Sequence, residues 1–267
     1  MRTSTFNMIR QLVYDNSGIY LSEGKVPLVS ARLQKRLRML GLGSYEDYVD
    51  VLRNDAAGEE LVEFLNVIST NTTYFFREPV HFKYYAEILR ALMRREQRRI
   101  RVWCAASSTG EEPYTLAMCY MEELRPGDVF DFRILATDIS TAVLDTARRG
   151  VYKKDKLTDV PGNIRFKYFT RGERNGDDFT VTDSLRPLIS YKRLNLSCTP
   201  YPMQGPLDII FCRNVMIYFD LATKQKLIDE AYRLLRPGGY FFVGHSESIS
   251  GIKNDFELIK PALYRKR

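Results

Sequence analysis

Histidine is almost absent from these 267 residues: there are two, His81 and His245. A histidine-rich metal centre is therefore not expected, and no metal is assigned. Cysteine is also sparse. The four, Cys104, Cys119, Cys198 and Cys212, form no C-x-x-C pair. Three of them fall in or beside apolar segments, which points to reduced, buried thiols rather than disulfides or a zinc site. No apolar run approaches the roughly 18 residues that span a bilayer. The first segment, MRTSTFNMIRQLVYDNSG, is broken by Arg10, Asp15 and Asn16, so it lacks a continuous signal-peptide core. The expectation is a cytoplasmic protein that is not inserted in a membrane. Also missing are internal repeats, low-complexity tracts and the G-x-G-x-x-G loop that cradles a pyrophosphate.

What is present is ordinary in bulk: 45% apolar residues, 27% charged residues and a formal charge of +7. The chain is long enough for one large domain or two smaller ones. The charge favours an acidic partner, whether nucleic acid, a membrane face or an acidic protein, without choosing among them. Residues 1–68 read as a helical domain without strand pattern. One helix is well marked: Ser30 as its cap, Leu33, Leu37 and Leu40 along one stripe, and Gly41 as its stop. Arg32, Lys35, Arg36 and Arg38 fall off that stripe, and no acid occurs between Lys25 and Ser44. Such a run fits a solvated helix face as well as a docking surface.

Residues 69–82 read as a linker and residues 83–267 as an α/β domain. There, helical segments alternate with RVWCAA, FRILATDI, LISYKRLNL, LDIIFCRN and GGYFFVGHSE. Alternation of this kind predicts a doubly wound, mostly parallel, Rossmann-like sheet. Pro237-Gly238-Gly239 reads as a helix stop, and the order beyond it permits an antiparallel final pair ending in ALYRKR. At about 163–192 the alternation lapses. KYFT, DFTVT and LISYKRL, with a turn at Asn175-Gly176, suggest a small antiparallel insert.

Where a nucleotide-binding α/β protein keeps its phosphate loop, this chain has WCAASSTGEEPYT, with Glu111 and Glu112 opening a helix. Acids there complement the helix dipole and can be only that. The next strand ends in Asp138, with Ser140 placed to cap the following helix. An acid at that strand tip binds ribose hydroxyls in dinucleotide folds. Ribose recognition without a phosphate cradle suits a nucleoside with a positively charged tail, of which S-adenosylmethionine is the example. In an open α/β sheet the ligand sits at the carboxyl ends of the strands. Arg213, Asn214 and Tyr218, just past LDIIF, are therefore site candidates. So is Asn195 after KRL, whose amide can read an adenine edge, although a turn is the commoner explanation of an Asn there. Upstream, TNTTYFFRE places Asn71, Thr72 and Thr73 before an aromatic anchor and Arg77. On its own this segment reads as an interdomain hinge.

TNTTYFFRE, RVWCAASSTGEEPYT, ATDIS, IIFCRNVMIYF and LRPGGYFFVGHSES occur together and in this order. They closely resemble the CheR family of chemotaxis-receptor glutamate O-methyltransferases. The resemblance covers nearly the whole chain, including LQKRLRMLGL and the β insert. It implies an all-helical N-terminal domain, an S-adenosylmethionine-dependent methyltransferase domain and a small β-subdomain within it. It implies that Asn71, Thr73 and Arg77 line the cofactor and that one of Glu111 and Glu112, Glu112 in preference, contacts its methionine end. Asp138 would hold the ribose, Asn195 and Leu196 would flank the adenine, and Arg213 and Asn214 would close the pocket. Tyr218 would stand near the transferred methyl, with Arg77 steering the acceptor carboxylate. Arg32, Lys35, Arg36 and Arg38 would dock glutamate-rich receptor helices, and the β-subdomain would be a place to hold a receptor tail. The product would be S-adenosylhomocysteine and the enzyme a monomer. Nucleic acid is not expected as a substrate, because FCRN lacks the D/N-P-P-Y/F segment of amino-methylating DNA enzymes.

Overall fold

In the computed structural model, residues 1–94, 98–172 and 176–267 are described. The first four helices are α1 (Thr3–Ser17), α2 (Val26–Leu40), α3 (Tyr45–Arg53) and α4 (Glu59–Ile68). Their inward stripes, among them Phe6, Ile9, Leu33, Tyr48 and Phe64, form one apolar core. Helix α3 starts at a reciprocal cap. Ser44 accepts from the Asp47 N–H and Asp47 accepts from the Ser44 N–H. Helix α2 corrects the sequence reading. It begins at Val26 with Pro27 in its first turn, so Ser30 lies inside the helix rather than capping it. Proline lacks the N–H that a first turn leaves unpaired anyway, which makes it the stronger start signal. Gly41 does end the helix, at φ +68°.

Helix α5 (Pro79–Arg94) leads into the sheet: β1 (Arg99–Cys104), α6 (Glu111–Glu123), β2 (Asp131–Asp138) and α7 (Thr141–Arg149). The insert follows as β3 (Val151–Lys153), α8 (Gly162–Tyr168), β4 (Phe169–Arg171) and β5 (Asp178–Val181). Then come β6 (Ile189–Arg193), β7 (Leu207–Phe211), α9 (Leu221–Leu234), β8 (Leu235–Phe242), β9 (Phe256–Lys260) and β10 (Leu263–Lys266). The main sheet runs β6-β2-β1-β7-β8-β10-β9. Its first five strands pair in parallel, and β10 pairs antiparallel with both β8 and β9. Alternate residues of β1 enter different cores: Ile100, Val102 and Cys104 on one face, Trp103 on the other, joined by Ala105 just past the strand. That is the pattern of a strand covered on both faces.

Two details differ from the sequence reading. By pattern the LISYKRL segment fits both a sheet strand and the insert. The structure gives it to the main sheet, where Ile189–Arg193 pairs parallel with β2. The insert's third strand is instead Val151–Lys153, and the small sheet runs β3-β5-β4. Asn175 of the expected turn lies outside the described residues. Pro237-Gly238-Gly239 is not itself the stop: α9 ends at Leu234 and β8 already contains those residues.

Connections diverge from β1. The chain moves to β2 and β6 on one side and to β7 and β8 on the other. A crevice at the carboxyl ends of β1 and β7 is the consequence, and such a reversal point is where open α/β sheets bind ligands. The helical domain closes over it. Tyr14 donates to Asp220 (2.6 Å), and the Tyr20 N–H donates to the Tyr218 carbonyl (2.8 Å). Gly18 turns between these contacts at φ +70°, and a Cβ there would stand 2.6 Å from the Ser197 Cβ. No helix among the described residues is long and apolar enough to cross a membrane.

Candidate active site

Trp103 anchors the loop after β1. Its indole N–H donates to the Thr137 hydroxyl (3.0 Å), which donates in turn to the Ala105 carbonyl (3.0 Å). From the tip of β2, Asp138 accepts the Ser108 N–H (2.8 Å) and the Ser140 N–H (3.0 Å). Burial pushes its carboxyl up, opposed by these backbone donors. Ser140 also caps α7, as its position suggested. The Ser108 hydroxyl reaches the Asn71 carbonyl (2.8 Å), so the linker is tied to the loop. Phe75 fixes the linker from the other side, edge-on to Tyr152 and Phe169 of the insert at 5.0 and 5.3 Å.

The two adjacent glutamates separate. Glu112 borders the cleft, whereas Glu111 does not. Glu111 is fully buried, accepts from the Thr109 hydroxyl (2.6 Å) and, among the described residues, leaves Oε1 without a partner. Burial raises its carboxyl. Successive residues on a helix point about 100° apart, so one of two neighbours must leave the cleft. Glu112 accepts the Cys104 thiol (3.1 Å) and Arg213 Nη1 (2.6 Å).

Arg213 has its side chain only 1% exposed, between Glu112 and Glu78. Burial opposes its charge, but Glu112 and Glu78 outweigh burial and hold the guanidinium protonated. It also donates to the Arg77 carbonyl, which connects β7's end to the linker. Arg77 itself donates to the Thr72 carbonyl (3.0 Å) and lies 5.7 Å over the Tyr74 ring. Asn214, at φ +58°, donates to Glu78 Oε1 (3.2 Å). Glu78, His81 and His245 bring three possible ligand atoms within 4.8 Å of one another. However, Glu78 Oε2 already accepts Arg213 Nη2 (3.0 Å) and the His245 N–H (3.1 Å), so the protein itself occupies its lone pairs.

One cleft of about 1190 Å³, including solvent at its mouth, collects these groups. Of the expected site residues, Asn71, Thr73, Arg77, Glu112 and Asp138 border it. Asn195, Leu196, Arg213, Asn214 and Tyr218 border it as well. Asn195 Nδ2 donates to the Asn16 carbonyl (2.8 Å) and its Oδ1 accepts the Ser197 N–H (3.0 Å), so its amide braces the end of α1 at the border of the cleft. Among the four cations of α2, Arg32 lines the cleft and donates to the Ser69 carbonyl (3.2 Å). Arg36 is bound by both carboxylate oxygens of Glu60. Lys35 and Arg38 face solvent.

Sequence reasoning missed the part of the helical domain that walls the cleft, Tyr20, Lys25 and Leu28 among it. Nothing local marks those residues, since α1 and α2 meet the sheet only through folding. It also missed Glu78, although this acid directly follows Arg77. The charges segregate. Glu112 and Asp138 lie on the sheet side with small Ala105 and Ala106 and with Arg213, whose charge Glu112 and Glu78 match, while Lys25, Arg32 and Arg77 lie on the helical-domain and linker side. Acids without a glycine-rich cradle suit a cationic nucleoside, so the donor set fits S-adenosylmethionine.

The all-alpha domain of the CheR methyltransferases matches residues 4–69, and their SAM-binding domain matches residues 71–264. The chain belongs to the CheR methyltransferase family. Its relatives include a chemotaxis protein methyltransferase of Borreliella burgdorferi, 40% identical over 96% of this chain and 92% of that one. Chemotaxis protein methyltransferase 2 of Pseudomonas aeruginosa is 43% identical over 91% of this chain and 86% of its own. The Escherichia coli chemotaxis protein methyltransferase is 39% identical over 97% of this chain and 89% of its own. The CheR fold therefore accounts for both halves of the molecule, and the chain is an S-adenosylmethionine-dependent methyltransferase.

Proposed function

We propose that the chain transfers a methyl group from S-adenosylmethionine to glutamate side chains of chemotaxis receptors, yielding glutamate methyl esters and S-adenosylhomocysteine and serving adaptation. The observation that carries this reading is the charge segregation of the cleft. An acidic sheet side suits a cationic donor, and a basic opposite side suits an anionic acceptor. When bound, S-adenosylmethionine supplies an electrophilic methyl on a positively charged sulfur.

The residues then divide the work. Glu112 attracts the cationic methionine end, Asp138 takes the ribose hydroxyls, and Asn71 and Thr73 complete the wall. Asn195 and Leu196 flank the adenine as packing surface. Arg213, neutralised by Glu112 and Glu78, and Asn214 close the pocket. The acceptor glutamate has an ordinary pKa of about 4.3 and is already ionised near neutral pH. No general base is needed, and neither histidine lines the cleft. Arg77 steers the acceptor carboxylate, and Tyr218 holds it by a hydrogen bond. The rate comes from alignment and from removing water from the carboxylate.

Lys35 and Arg38, exposed on α2, meet the acidic helices of the receptor. Arg32 and Arg36 support that face from within, and the β insert is the place for a receptor tail. The enzyme works as a cytoplasmic monomer. The test is transfer of tritiated methyl groups to receptor-containing membranes. Base-labile label released as methanol is expected; absence of label on any receptor overturns the reading.

A further inference from the structure

A second buried carboxylate shapes the cleft without touching it. Glu247 lies in the loop after β8 and is 8% exposed. Its Oε2 accepts the N–H groups of Asn214 (2.7 Å) and Gly244 (2.6 Å). Its Oε1 accepts the Ile217 N–H (3.3 Å). Among the described residues no cation pairs with it. A buried charge satisfied by backbone donors alone is costly unless all of them converge. Here they converge from two segments, 213–218 and 244–247, that follow neighbouring strands.

We infer that Glu247 is a positioning residue for methyl transfer, holding the Asn214–Tyr218 turn in the shape the cleft requires. Asn214 sits at φ +58°, a region that costs a non-glycine residue free energy and persists only when its surroundings hold it there. Glu247 grips its backbone N–H while Glu78 grips its side chain. The other carboxylate oxygen reaches the residue just before Tyr218. Gly244 is required by the same arrangement. A Cβ there would stand 2.5 Å from Asn214 Nδ2 and 2.8 Å from Glu247 Oε2.

The inference rests on the proposed roles of Asn214 and Tyr218, so one arm of its test is independent of them. In Glu247→Gln, a single amide oxygen can keep the Asn214 and Gly244 donors, but the NH2 group then opposes the Ile217 N–H. Expected is a kcat lowered roughly tenfold, with S-adenosylmethionine affinity and receptor KM within about twofold of wild type. In Glu247→Ala both kcat and cofactor affinity fall. The independent arm is amide hydrogen exchange of the ligand-free protein: Asn214 and Gly244 exchange at least about tenfold faster in Glu247→Ala than in Glu247→Gln. Wild-type kcat in Glu247→Gln, or unchanged exchange in a folded Glu247→Ala, overturns the inference. If wild-type protein labels no receptor while the exchange difference stands, the substrate assignment fails, the role in methyl transfer falls with it, and what remains is that Glu247 holds the turn.

Discussion

At residue scale, Glu111 and Glu112 show how little adjacency says about role. Both are acids in the first turn of α6, and both complement its dipole. Only Glu112 borders the cleft, and it shares Arg213 with Glu78. Glu112→Gln should weaken S-adenosylmethionine binding about tenfold, as loss of one charge-assisted contact would. Glu111→Gln should stay within about twofold, because its carboxylate faces Thr109 and the protein interior. Isothermal titration of the two variants checks this, and equal losses would return Glu111 to the site.

At element scale, the basic helix α2 is partly an internal brace. Arg36 clamps Glu60 of α4, and Tyr48 of α3 donates to the same carboxylate (2.6 Å). Burial alone would raise the Glu60 carboxyl, but the hydrogen bonds from Arg36 and Tyr48 outweigh it and the net direction is down. A depressed carboxyl contributes stability that is complete above its unfolded pKa, about 4.3, and that is lost as pH falls through the lower folded value. Glu60→Gln should therefore cost about 2–3 kcal/mol in urea unfolding at pH 7. The gap to wild type should close as pH drops below about 4. A gap independent of pH would mean that Glu60 acts by shape alone. The sequence showed four cations off the apolar stripe of α2, but not that Arg36 has a partner 24 positions away.

At the scale of the whole molecule, the cleft belongs to two domains. Residues of α1, α2 and the linker form one wall, and the sheet's carboxyl end forms the other. Gly18 sits at their joint, closing α1 at φ +70° against Ser197. Gly18→Ala should destabilise the chain by about 1–3 kcal/mol, from the left-handed backbone and the displaced neighbour together. It should also weaken S-adenosylmethionine binding several-fold by moving the helical wall. Thermal unfolding and titration of the variant check both, and a loss of stability with unchanged affinity would separate the joint from the site.

Local pattern was enough to read the helical first quarter, the β/α alternation and the positions of Asp138 and Arg213 at or just past strand ends. Periodicity and turn chemistry act over a few residues, and a strand's carboxyl end is where an α/β sheet keeps its ligand. The decisions left to tertiary structure join residues far apart in the chain: Arg36 with Glu60, Asn195 with Asn16, Arg213 with Glu112, Asn214 with Glu247. Those pairings decided which glutamate faces the cleft, which cations of α2 stay exposed, and that Asn195 braces α1. A side chain's partner is set by packing geometry, which neighbouring residues do not encode. Composition and spacing therefore placed the acids and cations near the site, and only the fold assigned each to cleft, clamp or surface.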